Sequence, residues 1–200
     1  MEECTFAELE SKILACTACA RLLPHKPKPI LQIHPQAKIL IAGQAPGQRA
    51  HDANLPFDDP SGDRLRGWLG VSKDTFYNPT KIALVPMGFC FPGAGKSGDL
   101  APRKECAEKW RDPLLRQLTH VKLTVILGTY AQAYHLETNR KTTLTEQVKA
   151  SKAWLEQGKI VLPHPSPRNN RWLAQNRWFE EEILPLLKAR IEQILSTHEA

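Results

Sequence analysis

Four short segments of the chain are almost continuously apolar, without the polar alternation of a half-exposed strand. They are residues 38–43 (KILIAG), 81–87 (KIALVPM), 123–128 (LTVILG) and 159–163 (KIVLP). Strands that are covered by helices on both faces of a parallel sheet have this pattern. The four segments therefore predict the strands of a buried, mainly parallel sheet.

Helical spacing of apolar residues appears between and beside these segments. The sequence Thr5-Phe6-Ala7-Glu8 has the spacing of a capping box and predicts the first helix start. Further helices are predicted from Pro102, with Pro113 bending or restarting that helix, and over residues 129–136, 143–157 and 170–195, the last kinked at Pro185. Strands that alternate with helices predict a single domain over residues 1–200, a three-layer α/β/α fold around a four-stranded sheet.

Composition limits the class of protein. The 200 residues are 42% hydrophobic, which is enough for one core and excludes a disordered chain. A formal charge of +6 favours polyanionic partners. No apolar run approaches the ~20 residues of a membrane span, and the first residues lack a signal-peptide pattern. We expect a cytoplasmic protein without membrane contact, associated with the nucleoid if prokaryotic.

Five cysteines in such a chain point to metal or to core packing rather than to disulfides. Cys16 and Cys19 form a C-x2-C pair, and Cys90 and Cys106 are sixteen positions apart. Structural zinc more often uses two tight C-x2-C pairs, so the wider second pair favours a 4Fe-4S cluster. Spacing alone leaves core cysteines equally possible, and Cys4 is interpreted as a core residue.

Three loops follow predicted strands and carry distinctive residues. They are residues 43–47 (GQAPG), 88–98 and 164–168 (HPSPR). Ligands in open α/β sheets bind where strands end and loops begin. These loops are therefore the candidate functional segments.

The ordered set of motifs resembles the uracil-DNA glycosylase superfamily, and most closely its iron–sulfur branch, family 4. That pattern has an N-terminal C-x2-C, a Gly-(Glu/Gln)-x-Pro-Gly loop, a Pro-Phe, two later cysteines and a His-Pro-Ser loop. This chain supplies, in that order, Cys16, Cys19, residues 43–47, Pro56-Phe57, Cys90, Cys106 and His164-Pro165-Ser166. Each motif is weak alone, but the ordered set is specific and spans residues 16 to about 175.

The resemblance implies a DNA glycosylase of base-excision repair. Such an enzyme hydrolyses the N-glycosidic bond of uracil, or of another deaminated or damaged base, after flipping the base out of DNA. It further implies a monomer that binds damaged DNA. It also implies a structural 4Fe-4S cluster held by Cys16, Cys19, Cys90 and Cys106.

The resemblance also implies roles for individual residues. His164 would donate a hydrogen bond to O2 of the departing base, and Phe57 would stack on that base. Gln44 and Ala45 would line the base pocket. The segment that enters the minor groove would contain the DNA-binding residues Ser166, Arg168, Asn169 and Arg171.

Two positions depart from the family pattern. Pro86 stands where family 4 has the asparagine that reads the base edge, which leaves Met87 or a main-chain group as possible readers. Ala50 stands where an acidic residue assists water attack, and Ala45 where another branch has its water-activating aspartate. Asp52 is the preferred replacement, ahead of the other nearby groups Asp58, Asp59 and His51.

These departures keep an alternative function open. In that alternative the chain is a non-catalytic iron–sulfur protein that binds nucleic acid or senses damage on the same fold.

Overall fold

The four apolar segments form one parallel sheet. The computed structural model describes residues 4–96, 98–136 and 142–197. Its strands are β1 (Ile39–Ala42), β2 (Ile82–Leu84), β3 (Ala94–Gly95), β4 (Gly98–Asp99), β5 (Leu123–Leu127) and β6 (Lys159–Leu162). The sheet has the order β2-β1-β5-β6 with every neighbouring pair parallel, whereas β3 and β4 form a small antiparallel pair.

Helices occupy most of the chain between the strands. They are α1 (Phe6–Leu14), α2 (Gln48–Ala53), α3 (Pro60–Leu69), α4 (Lys73–Phe76), α5 (Lys104–Gln117), α6 (Thr129–His135), α7 (Leu144–Lys149), α8 (Ser151–Glu156), α9 (Asn170–Gln175) and α10 (Leu184–Ser196). A 3₁₀ turn (Pro167–Asn169) precedes α9, and a π-helical turn (Phe179–Ile183) precedes α10.

The sheet separates two hydrophobic clusters, which confirms the three-layer α/β/α fold. Successive strand residues point to opposite faces, so Ile39 and Ile41 join one cluster and Leu40 joins the other. The first cluster packs against α3 and α10, and the second packs against α1 and α5. Burial on both faces explains why the strand segments are continuously apolar.

Helix boundaries follow the predictions at some positions and differ at others. Thr5 caps α1 with the predicted capping box. Helix α5 continues through Pro113, and residues 143–157 form two helices instead of one. The long C-terminal helix is interrupted at Asn176, where the Asn176 backbone N–H bonds to Leu173 and ends α9 well before Pro185. Among the described residues, no helix has the length and apolar content needed to cross a membrane.

Candidate active site

The loops that follow the four parallel strands surround a cavity of about 530 Å³. Parallel strands end at the same edge of a sheet, so their following loops meet there. The volume lies in the range of ~300–1,000 Å³ that is typical of small-molecule sites. Among its lining are most of the residues predicted from the sequence: Gln44, Ala45, Phe57, Pro86, His164, Ser166, Arg168 and Asn169.

The loop after β1 is held by the segment that follows β2. The backbone N–H of Met87 donates to Gly43 O at 2.9 Å, and that of Gly88 donates to Gln44 O at 3.0 Å. These bonds extend the β1–β2 pairing and fix Gln44 beside the cavity. Met87 itself is not among the lining residues, because its side chain is buried in the core and its N–H is already bonded.

Phe57 is positioned by an unusual backbone conformation. Its φ of 59° lies in the left-handed region, which is costly for a bulky residue. Gly62 in α3 permits the conformation, since a Cβ on Gly62 would lie 1.8 Å from the Phe57 carbonyl oxygen. That oxygen accepts a hydrogen bond from Arg66 Nη1 at 3.1 Å, and the Phe57 ring packs edge-to-face on Phe76. The aromatic face at the cavity is therefore fixed by its neighbours.

His164 lies at the end of β6 and lines the cavity. The backbone N–H of Ser166 donates to His164 Nδ1 at 3.2 Å, so the neutral ring carries its hydrogen on Nε2. Burial lowers the pKa of His164, Arg168 lowers it further, and Asp59 and Asp99 oppose the shift. The imidazole is therefore a neutral hydrogen-bond donor at neutral pH.

The loop after His164 is braced by two neighbouring elements. Arg64 of α3 donates through Nη1 to Pro165 O at 3.2 Å and to Asn170 Oδ1 at 2.9 Å. The guanidinium of Arg168 packs on Gly98 of β4, where an added Cβ would lie 2.1 Å from its nitrogens. The exposed Arg171 is outside the cavity lining. The loop after His164 thus contacts the β3–β4 pair through Arg168 and Gly98.

Among the residues that the structure describes, the carboxylates that line the cavity are Asp59 and Asp99. Asp59 caps α3 by accepting from the backbone N–H of Gly62 at 2.9 Å. The preferred sequence candidate, Asp52, is exposed on α2 and accepts from Gln48 Nε2 at 2.8 Å, so α2 turns it away from the cavity. Of the candidates named from the sequence to replace the acid missing at Ala50, Asp59 lines the cavity and Asp52 does not.

A fully buried arginine supports the cavity at Pro86. Arg111 of α5 donates through Nη1 to the carbonyl oxygens of Val85 at 3.1 Å and Pro86 at 3.0 Å. Its Nη2 lies 2.6 Å from His135 Nε2, and its guanidinium lies over the Tyr134 ring. Burial lowers the pKa of Arg111 to about 10, so it stays charged at neutral pH. The neutral His135 ring is its acceptor.

The four predicted metal-binding cysteines line a second cavity. Cys16 and Cys19 follow α1, Cys90 follows β2, and Cys106 lies on α5. Trp110 Nε1 donates to Cys16 Sγ at 3.2 Å, and the Phe89 backbone N–H donates to Cys106 Sγ at 3.3 Å. Cys4 is placed elsewhere, where Lys12 Nζ donates to its Sγ at 3.3 Å. The topology thus brings four distant thiols together.

The electrostatics of these thiols show that they are neighbours. Burial, together with the charges of neighbouring cysteines, raises the pKa of Cys90 to about 11 and that of Cys106 to about 12. Within the described ranges, no three His, Cys, Asp or Glu side chains are arranged to hold a single metal ion.

The chain is similar to proteins of a known family. A sequence model of the uracil DNA glycosylase superfamily matches residues 31–188, a span that contains all four strands of the parallel sheet and begins after Cys16 and Cys19. Among solved structures, the chain is similar to the solution NMR structure of a candidate uracil DNA glycosylase from Methanosarcina acetivorans. The TM-score is 0.44 and the identity 17%, over 79% of this chain and 93% of that chain.

A side chain at Gly62 should disturb Phe57. We expect Gly62→Ala to lower the free energy of unfolding by about 1–3 kcal/mol, because the added Cβ overlaps the Phe57 carbonyl. The matched control is Gly67→Ala on the same helix, where an added Cβ meets no atom within 4 Å. That variant should gain about 0.5–1 kcal/mol. Urea titrations measure both, and equal stabilities would contradict the packing described here.

Acid should destabilise the protein through His135. Burial, together with the charges of Arg111 and Lys159, lowers the pKa of His135 to about 3, whereas an unfolded histidine titrates near about 6.5. As the pH falls, the unfolded chain binds this proton before the folded chain does. The free energy of unfolding is therefore unaffected by His135 above about pH 6.5 and decreases as the pH falls from there toward 3.

The test compares the pH dependence of wild type and His135→Gln. Between pH 7 and pH 5, wild type should lose about 1–2 kcal/mol more of unfolding free energy than the variant. Denaturant titrations at both pH values measure the difference. The exposed His120→Gln serves as control and should keep the wild-type slope. An unchanged slope in His135→Gln would contradict the prediction.

Proposed function

The chain belongs to the uracil DNA glycosylase superfamily, and from that premise we propose that it removes a damaged base from DNA. The reaction is hydrolysis of the N-glycosidic bond of uracil, or of another deaminated or damaged base, after the base has been flipped out of the DNA. The observation that carries the proposal is the cavity where Phe57, Gln44 and a neutral His164 meet at the strand ends. A glycosylase needs these groups: an aromatic face, polar contacts and a donor for the leaving base.

The proposed mechanism assigns one role to each group. Phe57 stacks on the flipped base, and Gln44 lines the pocket beside the base and sugar. As the glycosidic bond breaks, its electron pair goes to the base, and Nε2–H of His164 donates to the base oxygen where negative charge develops. The tautomer fixed by Ser166 prepares His164 for this role.

The sugar becomes cationic in the same step. Asp59 and Asp99 line the cavity, and their negative charge stabilises an oxocarbenium-like sugar. Water then adds to the sugar carbon, and its proton passes through solvent water to the base anion, so that the products are an abasic sugar and the neutral base. Because a deaminated base is already a good leaving group, a strong general base is not required, which fits the placement of Asp52 outside the cavity.

DNA is the proposed partner, and the loop after His164 is the proposed contact. Arg168 is exposed and held over the cavity by Gly98, and Arg171 is exposed on the following helix. Both can neutralise phosphates beside a flipped nucleotide, and Ser166 and Asn169 line the cavity beside Arg168. We infer that the chain acts as a monomer, because the described residues of one copy supply all these groups.

The second cavity is the proposed site of a 4Fe-4S cluster. Its donor set fits, since four thiols share one cavity and two of their sulfurs accept N–H hydrogen bonds. Four thiolates that repel one another require cationic neighbours. The cluster would supply iron atoms that bind Cys16, Cys19, Cys90 and Cys106 and so tie the segment after α1 to α5. Its proposed role is structural.

Base release tests the proposed activity. Oligonucleotides that carry uracil, hypoxanthine or xanthine are incubated with wild type, and abasic sites are detected by alkaline cleavage. His164→Ala should lower the rate by about 100-fold or more, as loss of a donor to a developing anion does elsewhere. His120→Ala is the matched control and should retain the wild-type rate.

Two outcomes would count against this mechanism. Equal rates for His164→Ala and wild type would remove His164 from it. If wild type releases no base but still binds DNA with a steep salt dependence, the protein is the non-catalytic alternative that Pro86 and Ala50 favour.

Spectroscopy and metal analysis test the cluster. Anaerobically purified wild type should be brown, absorb broadly near ~400 nm and contain about four iron and four sulfide per chain. Cys90→Ser should lose most of this absorption, while Cys4→Ser, whose thiol lies outside the second cavity, should keep it. A colourless wild-type protein with stoichiometric zinc would contradict the cluster.

A further inference from the structure

The proposed base cavity lacks an obvious reader of the base edge. Pro86 lines the cavity where the family pattern has an asparagine, and proline has no side-chain amide. The Met87 side chain is buried in the core, and the main-chain N–H groups of Met87 and Gly88 are bonded to the loop after β1. Some other polar group must pair with the edge of a bound base, because an unpaired edge weakens binding.

Gln132 is a buried polar residue at this cavity. It lies in the first turn of α6, directly after β5, and it lines the cavity. The residue is 8% exposed. Of the buried polar or charged side chains in the described residues, Gln132 alone borders this cavity.

The amide of Gln132 is also unpaired. Its Nε2 is buried and has no hydrogen-bond partner among the residues that the structure describes. A buried polar atom without a partner costs stability, and such atoms are rare in folded proteins. The terminal torsion of glutamine is broad, so the amide can turn toward a ligand without strain. The unpaired amide beside an open cavity therefore marks a ligand contact.

We propose that Gln132 reads the edge of the flipped base. Its Nε2 donates to a ring carbonyl oxygen, and its Oε1 accepts from the adjacent ring N–H. Uracil and hypoxanthine present this carbonyl and N–H pair, as thymine and guanine also do, whereas cytosine and adenine present an amine and a bare ring nitrogen. Gln132 is thus a specificity-determining residue that separates uracil and hypoxanthine from the cytosine and adenine that they come from. The assignment rests on the proposed glycosylase function.

The test uses Gln132→Met, which keeps the side-chain length but removes both polar atoms. Three duplexes serve as probes: one with 2′-fluoro-2′-deoxyuridine, which resists hydrolysis, one with a tetrahydrofuran abasic analogue, and one unmodified. The variant should bind the fluorodeoxyuridine duplex about 10- to 100-fold more weakly than wild type, the loss expected for two hydrogen bonds. It should bind the abasic duplex as wild type does, because that duplex has no base to read.

A second measurement separates base reading from a structural role. Because Gln132→Met removes an unpaired buried amide, its Tm should rise by about 2–4 °C while its base recognition falls. The matched control is Gln147→Met, a buried glutamine on α7 outside the cavity lining. That variant should lose stability, because Gln147 has a polar partner, and should bind all three duplexes as wild type does.

The outcomes distinguish a failure of the Gln132 assignment from a failure of the proposed glycosylase function on which it rests. If wild type binds the fluorodeoxyuridine duplex no better than the unmodified duplex, the proposed function fails and the inference with it. If wild type prefers the fluorodeoxyuridine duplex and Gln132→Met shows the same preference, only the assignment of Gln132 fails. Equal weakening toward the fluorodeoxyuridine and abasic duplexes, or a fall in Tm, would also overturn it.

Discussion

Parallel pairing of four strands is the constraint on which the rest of the structure depends. Because β2, β1, β5 and β6 run in the same direction, their carboxyl ends lie along one edge of the sheet. Four segments of the cavity wall follow those ends: the loop of Gln44, the segment of Pro86, the first turn of Gln132 and the loop of His164. Residues that are far apart in the chain therefore meet in one cavity because of the sheet topology, although no single sequence motif contains them.

Helix α5 links this cavity to the cysteine site. Arg111 binds the carbonyl oxygens of Val85 and Pro86, and five residues earlier on the same helix the thiol of Cys106 accepts a hydrogen bond from Phe89. The segment after β2 is thus bonded to α5 at two points, one beside each site. A change that moves α5 acts on the Pro86 side of the cavity and on the thiol geometry together, so the proposed cluster would be connected through α5 to the proposed base site.

The sequence was sufficient to predict the sheet and to place Phe57 and His164 at the cavity, since continuous apolar segments and the loops after them have strong local signals. Phe57 and His164 lie where their motifs predict. Asp52 and Met87 do not line the cavity, because the short α2 and the backbone pairing after β2 are set by tertiary contacts that no local pattern records. Gln132 went unnoticed for a related reason: its helix looks ordinary in sequence, and only the folded chain shows that its amide is buried and unpaired beside the cavity.

The central claim is that this cavity holds a base that has left the DNA stack. A crystal structure with a duplex that contains 2′-fluoro-2′-deoxyuridine tests it most directly, because the fluorine slows loss of the base. The account predicts the uracil ring inside the cavity against Phe57, with its O2 within hydrogen-bond distance of His164 Nε2. A uracil that remains stacked in the duplex, or DNA bound to another face of the protein, would contradict it.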